Sequence, residues 1–552
     1  MFNYPRDRIL LVEYTKTDYN PTANYAVARQ IDGNILAPSG ILQIGRRLQE
    51  CFHSHETCRV KVSFIRPPRF IAVDSDFTTV RLQSLDPTRS DPYAALSYCW
   101  GEGQSIRTTL ANIATHEKGI VVALLPKTLQ DAIYVTRALG IKLLWIDSLC
   151  IIQDDLGTLT KEVADMTSYY GNALVTLSAA SAKSCSEGFL HQVSDDVRDE
   201  IGPFYFQTSM GSEARLKLAS FKYEEEPINK RAWTLQEGLL SPRLVSFGSH
   251  QIGWSCKVRS YGWQANIRFR EKLVQLSRTS PRVPTRKTFD FDGIREPLER
   301  DKESEHMYER KFLKGLELWY EVVENYTERI LSVQEDRLPA ISGIARQFAE
   351  IVSLPERLGA PGYLAGLWNN LCLPIQLLWM PKQRAKRCSS YIAPSWSWAS
   401  IEVPVHAIFP SEAVDFYNVL QTINVKNVEI HRLSDQAPYG ALTGGSLTIA
   451  GQTFNPDVKT KQNIHLQLDT DNIGDSAISS LRQEDLATLL CLRIIPPLKN
   501  YSAKFHGMKL PKGLILLPNQ EGSYRRVGLY YQDYTAAEQL NIKCTEQTVT
   551  IV

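Results

Sequence analysis

At 552 residues the chain is longer than one hydrophobic core usually spans, so two or three domains are expected. Its 43% hydrophobic and 22% charged residues exclude a disordered or fibrous protein. The 62 basic and 60 acidic residues nearly cancel, to +2, and no polybasic block stands out, so a nucleic-acid partner has no electrostatic support.

The opening "MFNYPRDRILLVEYTKTDYN" lacks the apolar core and small-residue cleavage site of a signal peptide. The most apolar stretch, "LLWIDSLCII" (143–152), has about half of the roughly 20 residues that a membrane span needs, and it contains Asp147. A soluble, cytoplasmic protein is expected. Its ten cysteines, scattered from Cys51 to Cys544, read as reduced thiols.

Residues 1–89 read as an N-terminal extension containing strands, because "RFIAVDS" and "TTVRLQSL" carry β-branched alternation. Within it, "CFHSHETC" sets Cys51, His53, His55 and Cys58 close together. The spacing matches no usual zinc pattern, and alternate residues on so short a stretch do not easily converge on one ion, so no metal is expected.

From Tyr93 the pattern becomes regular. "YAALSY" (93–98), "KLLWID" (142–147) and "LVTLSA" (174–179) are short apolar runs that suit buried strands. Between them, "LPKTLQDAIYVTRALG" (125–140) and "TKEVADMTSYYGNA" (160–173) repeat apolar residues at helical spacing, Pro126 opening the first and Gly140 closing it. After a stretch read as irregular (180–229), "RAWTLQEGLL" (231–240) supplies a third helix, which Gly238 is expected to break. "RLVSFG" (243–248) and "QIGWSC" (251–256) read as two more strands. Strands alternating with helices predict a doubly wound α/β domain over 90–256, with a mostly parallel sheet, flanking helices and ligands beyond the carboxyl ends of the strands.

Residues 257–400 read as a charged surface excursion and helical linker, then "LPAISGIARQFAEI" (338–351) as an amphipathic helix, with "YLAGLW" and "APSWSWAS" as packing cores. Residues 401–552, with "GSLTIAG", "HLQLDT", "CLRIIP", "GLILLP" and "RRVGLYYQ", predict a β-rich C-terminal domain.

"YAALSYCWG", "LPKTLQDAIYVTRALG", "LLWIDSLCIIQDD", "EVADMTSYYGNALVTLSAA" and "RAWTLQEGLLSPRLVSFG", in that order, resemble the heterokaryon incompatibility (HET) domain of filamentous fungi. "DRLPAISGIA", "YLAGLW" and "APSWSWAS" resemble the stretch that follows this domain in many members. The resemblance implies a role in allorecognition and programmed cell death after fusion of unlike hyphae. The HET domain is in turn similar to TIR domains, which share the flavodoxin-like sheet, and many of those cleave NAD with a glutamate in a pattern like W-C-x-x-E. "WTLQE" keeps that spacing with Thr234 in place of the cysteine, which implies Glu237 as the catalytic carboxylate. "DSLCIIQDD" (147–155) would occupy the loop that gates the TIR site and mediates assembly.

Cleavage of the bond between nicotinamide and ribose passes through an oxocarbenium-like sugar. Its leaving group is already cationic, so one carboxylate near the ribose and an aromatic shelf are a sufficient minimum. The residues expected to bind substrate are Trp233, Ser97, Tyr98, Trp100, Gly101, Asp147 and Ser148, all placed at strand ends or on the third helix. Gly101 and Gly103 would let backbone approach phosphate, though the glycine-rich fingerprint of a dinucleotide-binding dehydrogenase is absent. Cys99 and Cys150 sit beside no recognisable histidine motif and are set aside as nucleophiles. NAD is expected as a substrate, with no cofactor. The competing reading is a non-enzymatic module that self-assembles or recruits an incompatibility partner.

Overall fold

The computed structural model describes residues 7–13, 38–59, 65–73, 76–85, 90–101, 106–191, 198–207, 213–222, 226–249, 252–258, 260–262, 305–352, 362–370, 372–407, 423–456, 464–470, 472–473, 476–477, 488–495, 511–519, 521–532 and 544–552. They fall into two units, Met1–Thr288 and Phe289–Val552, and the boundaries expected at 89, 256 and 400 lie inside them. Of the charged excursion read from 257 onward, residues 263–304 lie outside the described residues.

In chain order the first unit contains β1 (Asp7–Glu13), α1 (Pro38–Ser54), β2 (Arg69–Ala72), β3 (Thr79–Ser84) and β4 (Tyr93–Ser97). There follow α2 (Ile113–Lys118), β5 (Ile120–Val121), α3 (Lys127–Ala138), β6 (Leu143–Trp145), α4 (Asp147–Cys150), α5 (Leu156–Asn172) and β7 (Val175–Ser178). The unit closes with β8 (Arg198–Gln207), β9 (Glu213–Lys222), α6 (Trp233–Leu240), β10 (Arg243–Phe247), β11 (Ile252–Cys256) and β12 (Ser260–Gly262).

The predicted α/β sheet is present. β4, β6 and β7 are buried at every position, as strands covered on both faces must be, and this is why their sequences are apolar without alternation. The sheet runs β12-β11-β10-β7-β4-β6-β2-β3-β5. Its central strands β10, β7, β4 and β6 are parallel, and the flanking pairs are antiparallel. β2 and β3, expected as strands, therefore extend this same sheet.

The chain passes from β4 outward to β6, then back across β4 to β7 and on to β10. Right-handed crossovers in these two directions place α3 on one face of the sheet and α5 and α6 on the other, and α5 does pack on α6. The reversal at β4 opens the sheet beyond the carboxyl ends of β4, β6 and β7.

Two local readings are corrected. The stretch 180–229 is not wholly irregular, since β8 and β9 form an antiparallel hairpin and β1 adds to β9 as a third strand. The alternation of "ARLKLASF" within β9 is the local signal for it. Gly238 does not end α6, which continues to Leu240. The stop comes from Pro242, which disfavours helical backbone at Ser241, where ψ is 127°.

The second unit holds α7 (Glu305–Thr327), α8 (Pro339–Val352), β13 (Tyr363–Leu364), β14 (Leu367–Trp368), α9 (Leu373–Gln376), β15 (Met380–Pro381) and β16 (Val405–His406). Then come β17 (Ile423–Arg432), β18 (Leu442–Phe454), β19 (Ile464–Leu468), β20 (Asn472–Ile473), β21 (Ser476–Ala477), β22 (Leu490–Arg493), β23 (Pro511–Pro518), β24 (Tyr524–Gln532) and β25 (Thr545–Ile551). The β-rich C-terminal region is thus present, as a sheet ordered β17-β18-β22-β23-β24-β19 with β25 paired to β18 and β24.

The tryptophan-rich stretches are core, as expected. Trp319, Trp368, Trp396 and Trp398 are fully buried, and Trp319 meets Trp368 edge-on at 5.2 Å between rings. Both Trp319 and Trp398 donate their indole N–H to the Gly366 carbonyl, at 3.0 and 3.1 Å. Arg526 is buried, forks onto Asp469 at 2.9 and 3.2 Å, donates to the Trp379 carbonyl at 2.6 Å and stacks on the Trp379 ring. Among the described residues, no helix is long and apolar enough to cross a membrane.

Candidate active site

β4 ends in Ser97 and runs into Tyr98, Cys99, Trp100 and Gly101; β6 ends at Trp145, two residues before Asp147. Because these strands are parallel neighbours, the two ends lie side by side. The Tyr98 hydroxyl donates to Ser148 Oγ at 2.9 Å, and the Trp100 indole N–H donates to Asp147 Oδ2 at 2.9 Å. Asp147 Oδ1 also accepts the Ser148 backbone N–H at 2.7 Å, which fixes its carboxylate at the start of α4 while facing the site.

Glu237, on α6, enters the same cluster from the α5/α6 face. Its carboxyl hydrogen-bonds the hydroxyls of Ser97 and Tyr170, and the charges of Arg231 and Asp147 act on it. It is only 4% exposed, and burial pushes its pKa up to about 7. The Tyr170 hydroxyl donates to the Leu96 carbonyl at 3.0 Å. One phenol proton cannot serve both partners at once, so Tyr170 donates to Glu237 only by leaving the Leu96 carbonyl. Asp147 is also raised, first by burial, with Arg231 opposing.

Arg231 is the cation of the cluster. Its guanidinium donates to the Tyr98 carbonyl, and its charge favours the ionised forms of both Glu237 and Asp147. Sequence reasoning passed over both Arg231 and Tyr170. Arg231 stands within the quoted "RAWTLQEGLL", two residues before Trp233, and was the available signal; Tyr170 looks like any apolar position of α5.

Of the predicted residues, Ser97, Tyr98, Trp100, Asp147, Ser148 and Glu237 come together. Gly101 sits at the edge of the cluster with φ +73°, and a Cβ there would lie 2.4 Å from Ser184 Cβ. That turn and close approach account for the glycine without a phosphate. Gly103 lies outside the described residues. Trp233, at the first turn of α6, is partly buried and packs on the main hydrophobic core. The "DSLCIIQDD" stretch is tied down: Asp154 accepts the Leu110 N–H at 2.8 Å, and Asp155 caps α5 through Thr158. Burial raises the thiols of Cys99 and Cys150, the latter to about 12, which keeps them protonated and poor nucleophiles.

The cluster is a carboxyl with a pKa near neutrality, a second acid, a guanidinium and four hydroxyls at the carboxyl ends of parallel strands. A perturbed acid among fixed charges at such a position marks a functional-site candidate. Residues 93–237 match the family model of heterokaryon incompatibility protein (HET). The HET match begins at Tyr93, the first residue of β4, and ends at Glu237, so it encloses every member of the cluster. It covers about a quarter of the chain. No curated protein and no solved structure gives a match.

Proposed function

We propose that this chain is an effector of heterokaryon incompatibility, acting in the cytoplasm in fungal allorecognition and cell death, and that its HET segment works as a TIR-like NAD glycohydrolase through Glu237. The observation that carries the reading is the meeting of Glu237 with Ser97, Asp147 and Arg231 beyond the ends of β4 and β6. The TIR-like part is supported by the order of the parallel strands, second-first-third-fourth in space, which is that of flavodoxin-like sheets, and by the Trp233-to-Glu237 spacing.

In this reaction the C–N bond between ribose and nicotinamide breaks, water adds to the sugar, and nicotinamide, ADP-ribose and a proton leave. An ionised Glu237 would hydrogen-bond the ribose hydroxyls and stabilise the developing positive charge. Arg231 favours that ionised form, and a pKa of about 7 leaves it well populated at neutral pH. At 4% exposure Glu237 is covered, so substrate entry requires the cluster to open, which suits a site gated by assembly.

The test is nicotinamide release from NAD by the purified full chain over a range of protein concentrations, beside Glu237→Gln. Wild type should release nicotinamide more steeply as it assembles, and the variant should fall by about 10²–10³-fold. The same burial of Glu237 favours a second reading, in which the cluster is a polar core and the domain a non-enzymatic assembly or recruiting module. Under that reading Glu237→Gln would kill cells as well as wild type and no NAD would be consumed.

A further inference from the structure

The N-terminal Cys/His stretch acquires a fourth partner from far along the chain. Cys51 and His55 are one turn apart at the carboxyl end of α1, and Cys58 closes the short 3-10 turn Glu56–Cys58. Cys256 is the last residue of β11. The ligand atoms of Cys51, His55, Cys58 and Cys256 all lie within 4.8 Å of one another. His53 is not among them; its ring is exposed and its Nδ1 lies 2.8 Å from the Gln49 carbonyl. The expectation of no metal rested on Cys51, His53, His55 and Cys58 alone, a set that does not converge.

We propose that Cys51, His55, Cys58 and Cys256 bind a structural zinc ion. Three thiolates and an imidazole are a donor set that tetrahedral zinc favours, and four protein ligands leave no open position for catalysis. With Zn–S near 2.3 Å and Zn–N near 2.05 Å, a tetrahedron sets its ligand atoms roughly 3.6–3.8 Å apart. Cys256 Sγ and His55 Nδ1 are already 3.6 Å apart. All three sulfurs are buried and His55 is 9% exposed, so the ion would be shielded from water.

Two features around the cluster fit an anionic centre. The backbone N–H groups of Lys257 and Val258 reach the Cys58 sulfur, an arrangement that stabilises a thiolate. Arg243, 3% exposed, donates to the Cys58 carbonyl at 2.9 Å and to the Leu174 carbonyl at 3.2 Å, and its Nε is buried without a hydrogen-bond partner. Among the described residues no carboxylate pairs with it, although a buried guanidinium needs a counter-charge. Binding one Zn²⁺ to three thiols and a neutral imidazole releases three protons and leaves a net charge of −1, which Arg243 balances. The ion would fasten α1 to the sheet strand β11, closing a loop of about 200 residues that encloses the HET match.

The experiment is metal analysis of the full chain purified under reducing conditions without added metal, with Cys256→Ser and His53→Ala alongside. About one zinc per chain is expected in wild type and in His53→Ala, and none in Cys256→Ser. In case Cys256→Ser does not fold, wild-type protein stripped of metal is titrated with Co²⁺. The intense charge-transfer and visible bands of a tetrahedral cobalt thiolate should appear and be displaced by zinc. A chain with no zinc and no cobalt spectrum, a disulfide among Cys51, Cys58 and Cys256, or zinc retained in a folded Cys256→Ser would each overturn the proposal.

Discussion

Replacing Glu237 with glutamine tests the burial argument through stability, before any substrate is considered. Burial raises this carboxyl from 4.5 to about 7. Below pH 4.5 both the folded and unfolded chains hold the proton, and no penalty arises. Between pH 4.5 and 7 the folded chain binds more protons than the unfolded one, so stability falls as pH rises and the loss is complete above the folded pKa. The shift of about 2.5 units, at about 1.4 kcal/mol each, makes the loss on the order of 3 kcal/mol. Glutamine keeps the shape and cannot ionise, so the variant should lose less stability over that window. Glu162, also buried and raised to about 7, is present in both proteins and cancels in the comparison. Denaturant unfolding followed by tryptophan fluorescence at pH 5 and pH 8 reads the difference. Wild type should lose about 2.5 kcal/mol more than Glu237→Gln between those pH values, part of the loss having occurred already below pH 5. Parallel pH profiles for the two proteins would refute the reasoning.

Gly101→Ala should destabilise the first unit by about 1–3 kcal/mol, since alanine at φ +73° is strained and its Cβ meets Ser184. An unchanged melting temperature would show that the turn relaxes freely. In the second unit, Asp469→Ala strands the Arg526 guanidinium and should cost about 3–5 kcal/mol, whereas Asp469→Leu with Arg526→Met should recover much of the loss. Calorimetry on the three proteins checks this, and equal melting of the single and double variants would contradict it.

Much of the first unit was legible because local patterns follow from chain geometry. A strand covered on both faces must be apolar throughout, and β4, β6 and β7 are so in the bare sequence. Helices α3 and α5 announced themselves by their spacing, and the β-rich C-terminal sheet by short alternating runs. The hairpin of β8 and β9 was overlooked although β9 alternates, because Gly202 and Pro203 interrupt the strand pattern of β8, where the register shifts.

The residues at strand ends were likewise readable once a doubly wound sheet was inferred, since such sheets gather Ser97, Tyr98 and Asp147 at one edge by topology alone. Glu237 was placed among them by its spacing from Trp233. Its burial, its bond to Tyr170 and the charge of Arg231 beside it were decided only by the packing of α6 on α5. The convergence of Cys256 on Cys51, His55 and Cys58 across 201 residues was beyond any local pattern. Periodicity reports which way a side chain faces within its own element, because helix and strand repeats are set by neighbouring residues. Which distant groups then share a site depends on how the crossovers lay those elements together, and that belongs to the tertiary structure.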